Sequence, residues 1–110
     1  MNNFGKVISI LKEMDFVPDI SSFEDRIILQ KSMYLLSLKM DVGYTDWDLF
    51  LRGPYSPKLT EDMFEWWESL SELDQLKIKQ IRIIRRAEKQ ILMDKKKKKS
   101  LEVMRTFDGW

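Results

Sequence analysis

Placed on a helical wheel at about 100° per residue, the segment from Glu72 to about Asp94 sorts its side chains by chemistry. Leu73, Leu76, Ile81, Ile83, Ile84, Ala87, Ile91 and Leu92 share one continuous arc. Lys79, Arg82, Arg85, Arg86 and Lys89 share the opposite arc, with no acidic residue among them. Only Ile78 strays to the edge of the basic side. A strand alternates its faces at every residue and cannot produce this segregation, whereas a helix does so directly. The chain is therefore committed to a long amphipathic helix, and a mainly α fold follows if its other segments agree.

They do. Val7, Ile8, Leu11 and Met14 mark a first helix over about Asn3–Asp15, with Pro18 after its end. Ser21 or Ser22 then supplies an N-cap, each with an acidic residue three positions on in capping-box spacing. The helix behind it, about Phe23–Met40, is apolar nearly all round, which predicts a central, buried element. Arg26, Gln30 and Ser37 are its polar exceptions, on one narrow line. Gly43 is placed to stop it. Trp47 to Leu51 fits either a helical turn or a short extended piece. Ser56-Pro57 fits an N-cap followed by proline at the first helical position, opening a helix to about Leu70 whose inner face is Leu59, Met63, Trp66 and Leu70. Ser71 and Asp74 give a further cap for the amphipathic helix. The expected architecture is a single compact domain of four to five helices, with room for one extended segment near residues 47–51. It divides into a helical domain over 1–94 and a basic C-terminal extension over 95–110, with a short helix at Leu101–Met104 and a frayed end at Trp110.

Composition narrows the chemistry. The 110 residues contain no Cys and no His. Disulfides and thiolate chemistry are excluded, and so are the commonest general base near neutral pH and the commonest transition-metal ligand. With no Gly-rich phosphate loop and no convergent carboxylate pair, no nucleophile has an identifiable activating base. The expectation is a non-enzyme without metal or cofactor. No apolar run is long enough to span a bilayer, and the N-terminus lacks a signal core. The chain reads as intracellular and cytoplasmic. Richness in Lys, Glu and Ile suits a thermophile.

Charge is divided between the two ends. Residues 1–76 hold 7 Lys+Arg against 14 Asp+Glu, and residues 77–110 hold 12 against 4. A one-sign stripe at Lys79, Arg82, Arg85, Arg86 and Lys89, extended by Lys95, Lys96, Lys97, Lys98 and Lys99, lacks the i,i+4 counter-charges of an ordinary solvated face. Its spacing suits phosphates, which bind without sequence preference and with strong salt dependence. An acidic protein surface, plain solvation or an anionic membrane surface are the competing readings. The preceding helix carries the complement, an acidic stripe of Glu61, Glu65, Glu68 and Glu72. These carboxylates lie along a line rather than around a point, which favours a solvated face or a basic partner over a cation. Of Trp66 and Trp67, only one can enter a given groove. Core packing of both is the plain reading, and Trp67 as an interface anchor is the sharper one.

Two linked stretches, Phe23-Glu24-Asp25-Arg26-Ile27-Ile28-Leu29-Gln30-Lys31-Ser32-Met33-Tyr34-Leu35-Leu36 and Arg52-Gly53-Pro54-Tyr55-Ser56-Pro57-Lys58-Leu59, resemble the YwgA-like family and, more distantly, Panacea-type (SocA-like) domains. The likeness covers about Phe23 to Leu70. Ser32, Met33 and the long basic C-terminal segment depart from it. The resemblance implies a small non-enzymatic module that neutralises a toxin or acts as an adaptor. Gln30, Lys31, Tyr34, Arg52, Gly53, Pro54, Tyr55 and Ser56 would then be a structural or partner-binding core. Arg52 and Lys31 could hold an anion at the helix beginning at Ser56, or the turn simply locks two helices. Two functions remain. One is a nucleic-acid-associated binding or regulatory module using the basic helix and lysine run. The other is a protein-interaction subunit, antitoxin-like, adaptor or accessory to a nucleic-acid enzyme, with the acidic helix or Tyr55 turn making the contact. A homodimer joining acidic and basic stripes is a variant of the second.

Overall fold

The computed structural model describes residues 3–108, with side chains through residue 100. It is mainly helical. Helices α1 (Phe4–Glu13) and α2 (Phe23–Ser37) precede a hairpin of β1 (Asp48–Phe50) and β2 (Gly53–Tyr55); α3 (Pro57–Ser69) and α4 (Glu72–Asp108) follow. The strands are antiparallel, with Asp48 opposite Tyr55 and Phe50 opposite Gly53. The segment near residues 47–51 is thus extended.

Local chemistry sets the boundaries. The α1 helix ends before Pro18, in a six-to-one closure: Phe16 N–H donates to the Leu11 carbonyl at 2.9 Å and Asp15 N–H to that of Lys12. Asp15 takes the left-handed conformation (φ 53°) usually given to glycine, which short polar side chains tolerate. Ser22, not Ser21, caps α2 by accepting from Asp25 N–H. Ser56 caps α3 by accepting from Leu59 N–H at 3.0 Å, with proline next. Ser71 Oγ accepts from Asp74 N–H at the start of α4.

Three expectations are corrected. First, α2 is not buried all round: Leu29 and Met33 are closed into the core, but Leu35 is 62% exposed and Leu38 65%. Second, Gly43 does not stop α2, which ends at Ser37. Gly43 has φ +92° and instead lets the chain pass beside Asn3, whose amide donates to its carbonyl at 3.0 Å. Third, no break or separate short helix occurs after Asp94, because α4 continues through the lysine run to Asp108. The end expected to fray at Trp110 lies outside the described residues.

The chain divides into two units, Met1–Lys79 and Gln80–Trp110. The first unit holds the core: Phe4, Val7 and Leu11 of α1, Leu29 and Met33 of α2, and Leu59, Met63 and Trp67 of α3, joined by Ile20, Val42 and Tyr44. Each fully buried Leu, Val, Phe or Met contributes about 1.5–3 kcal/mol relative to exposure. The second unit is the rest of α4.

Candidate functional site

The junction of α2, the hairpin and α3 is built on a polar clamp. Gln30, only 6% exposed, accepts from Ser56 N–H at 3.0 Å through Oε1 and donates to Thr60 Oγ1 at 2.7 Å through Nε2. Thr60 in turn donates to the Ser56 carbonyl. A buried amide with both ends satisfied fixes a unique arrangement rather than adding much net stability. It explains why a glutamine sits in an otherwise apolar helix, and why the two sequence stretches on α2 and the turn belong together. Gly53 (φ +124°) follows the hairpin turn, and a Cβ there would meet Lys31 Cε at 2.9 Å.

The N-terminus of α3 is already occupied. The Asp46 carboxylate accepts from Ser56 Oγ and from Lys58 N–H at 2.9 Å. Partial burial pushes its pKa up, but the Ser56 and Lys58 hydrogen bonds and the Lys58 charge outweigh this and hold it below the usual carboxylate range. The expectation that Arg52 and Lys31 bind an anion at this helix end is therefore overturned, because the chain's own carboxylate fills the position. One turn on, Tyr44 donates to buried Asp62 at 2.6 Å. Burial first, then the bond to Asp62, push the Tyr44 hydroxyl above its ordinary pKa. The other Asp62 oxygen makes no hydrogen bond, although Lys58 Nζ lies 3.4 Å away as an ion-pair partner.

Beside the clamp is a cavity of about 360 Å³, lined mainly by Phe23, Ile27, Phe50, Pro54, Tyr55 and Met63, with Arg26 and Arg52 also on its wall. Tyr55 is 38% exposed and meets Phe50 edge-on at 5.8 Å. Arg52 is exposed and stacks over the Phe23 ring at 5.4 Å.

Glu61, Glu65, Glu68 and Glu72 are all exposed, so the acidic stripe exists as a surface. Glu61 is paired with Lys58 at 3.8 Å. Among the described residues no group of three or more potential ligands could hold a metal ion. Trp67 is corrected. It is only 8% exposed, inside the core, and offers no interface anchor. Trp66 is half-buried with its ring 5.4 Å from Phe4.

The largest departure concerns the faces of α4. In its first turns Gln75 Nε2 donates to the Trp67 carbonyl at 2.8 Å and Ile78 packs against the core. The side that includes the stray Ile78 thus turns inward, while Leu73 and Leu76 on the apolar arc stay 60% and 51% exposed. Farther on, Ile83, Ile84, Ile91 and Leu92 are each more than half exposed. Among the predicted cations, Lys79 and Arg82 are half-buried, and Arg85, Arg86, Lys89 and Lys95 to Lys99 are exposed. Arg82, Arg85 and Arg86 each have an interaction partner in the structure, so the stripe is not the row of unpartnered cations that the sequence predicts. Lys89 and Lys95 to Lys99 form no ion pair among the described residues.

Comparison of the chain with protein-family models, with curated proteins and with solved structures finds no match. No helix among the described residues is long and apolar enough to cross a membrane.

Proposed function

We propose that this chain is a non-enzymatic protein-interaction module whose contact surface is the apolar arc of α4. The observation that carries this reading is the exposure of Ile83, Ile84, Ile91 and Leu92, all 55% exposed or more, on one arc of the second unit's part of α4. Scattered surface Leu and Ile need no explanation, but an apolar stripe along a helix marks a docking face. Charges of both signs accompany the stripe, Glu88 and Asp94 with Lys95, Lys98 and Lys99, so the fitting partner is recognised by its own apolar helical stripe. The resemblance of Phe23–Leu70 to YwgA-like and Panacea-type domains gives this reading its antitoxin-like or adaptor form. The charge pattern alone ranks nucleic acid first; the exposed arc reverses that order.

Nucleic-acid association is the second reading, favoured by one observation: Lys95 to Lys99 continue the helix, so their cations point all round its axis with no ion pair among the described residues. Such a segment suits phosphates approached from any side.

Two variant sets separate the readings. Ile84→Lys/Ile91→Lys interrupts the arc, and Lys95 to Lys99→Gln removes the charge. In co-purification from the native host, a stoichiometric protein partner lost with the first set and kept with the second supports the interaction module. Loss of that partner with neither set refutes it. A mobility shift on duplex or single-stranded nucleic acid, weakened by the glutamine set with a salt slope flatter by about one unit for each phosphate no longer neutralised, supports the second reading. No shift at low salt removes it.

A further inference from the structure

The cavity between α2, the hairpin and α3 lies wholly in the first unit and is independent of the α4 reading. At about 360 Å³ it falls at the small end of the roughly 300–1,000 Å³ typical of organic-ligand sites, which are apolar with a few polar groups that set orientation. At about 30 Å³ per water-sized group it admits roughly a dozen heavy atoms. Two of its polar side chains, Gln30 and Thr60, are engaged with each other and with the Ser56 backbone.

The two arginines differ. Both guanidiniums stack on the Phe23 ring, at 5.6 Å for Arg26 and 5.4 Å for Arg52, and Arg26 also lies over Phe64 at 5.5 Å. Arg26 donates one N–H to the Ile20 carbonyl at 2.7 Å. Arg52 makes no hydrogen bond among the described residues, and neither arginine is paired with a carboxylate there. A guanidinium keeps its charge at any accessible pH, and its planar fork matches a carboxylate. The Phe23 ring lies against both cations at the cavity wall, and a cation–π contact consumes no N–H donor of Arg52.

We propose that this cavity binds a small organic monocarboxylate, with an aromatic or branched aliphatic body of roughly a dozen heavy atoms on the apolar wall and its carboxylate on Arg52, with Arg26 beside it. Recognition needs both parts. An apolar body alone leaves Arg52 unanswered, and an inorganic anion alone leaves the apolar wall empty.

The test is a titration of the full chain, labelled at backbone amides and methionine methyls, with 4-phenylbutanoate and with the neutral isostere 4-phenylbutan-1-ol. The expected result is saturable shifts of the Met63 methyl and the Gly53, Tyr55 and Thr60 amides. The alcohol binds at least about tenfold more weakly, because it lacks the charge-assisted pair. Arg52→Gln lowers carboxylate affinity about tenfold and abolishes the preference over the alcohol. Arg52→Lys, which keeps the charge and loses the fork, falls between. Arg52 is exposed, so both variants keep the wild-type unfolding midpoint. Equal affinity for acid and alcohol, an unchanged R52Q titration, or shifts confined to Lys95–Lys99 would each overturn the proposal.

Discussion

Replacing Gln30 by leucine tests whether the α2–α3 clamp is real. The change keeps side-chain size nearly constant and removes both hydrogen bonds. It leaves the buried Ser56 N–H without its partner. An orphaned buried donor costs about 1–3 kcal/mol, and the missing bond to Thr60 about 0.5–1.5 kcal/mol, so Q30L should destabilise the first unit by about 2–4 kcal/mol. For a unit of this size each kcal/mol lowers the melting temperature by about 4–8 °C, predicting a drop of roughly 8–32 °C. The assay is urea unfolding followed by tryptophan fluorescence, which reports Trp66 and Trp67 against the core. Thr60→Val should cost about 1 kcal/mol alone, and the double variant less than the sum of the two, because both act on one network. A Q30L loss below about 0.5 kcal/mol, in the range of an ordinary surface change, would refute the reasoning.

Other outcomes follow from neighbouring groups. The Tyr44 hydroxyl is held above its ordinary 10.0, so the unfolded chain ionises first. Stability from this group is complete below pH 10 and falls as pH rises beyond it. Tyr44→Phe should be less stable at pH 8, and the gap to wild type should narrow in urea melts at pH 11. Asp46 is held below its ordinary 3.8, so its contribution is complete above that value and is lost as pH falls through the lower folded-state value. Asp46→Asn should flatten the wild-type stability profile between pH 5 and 2. Gly53→Ala forces an L residue to φ +124° beside Lys31 and should cost about 1–3 kcal/mol in the same melts.

What the sequence made legible was decided within a few residues. Ser22, Ser56-Pro57 and Ser71 announce helix starts because a cap needs only its own backbone and the next turn. What it hid depends on distant partners. Nothing near Asp15 predicts a left-handed stop in place of Pro18, and Gly43 looks like a helix stop until Asn3 is found against it. The cavity draws its wall from α2, the hairpin and α3, so no single window of sequence contains it. One signal was present: Gln30, a polar residue facing inward from an apolar helix, marks a buried hydrogen-bond partner elsewhere in the chain. The Phe23–Arg26 spacing, one turn apart, is a weaker pointer to the stacked cations.

The rotation of α4 shows why a correct helical wheel can still mislead. The wheel establishes which residues share a face; which face turns inward depends on the surface that receives the helix. Here the receiving surface is the end of α3, where the last carbonyls of a helix lack partners within it. The Trp67 carbonyl there accepts from Leu70 N–H and also from Gln75, and Ile78 packs against the core. One hydrogen bond and one side chain thus fix the phase of the first turns against Leu73 and Leu76. Burying the half-exposed Leu73 and Leu76 instead would gain about 1 kcal/mol each, but would turn Gln75 away from Trp67 and Ile78 out of the core. Leu73 and Leu76 are left facing solvent as a result. Basic composition explains none of that exposure, because lysines and arginines keep a chain dispersed whichever way the helix is turned. The interaction module proposed above would account for it by a complementary apolar face in a partner.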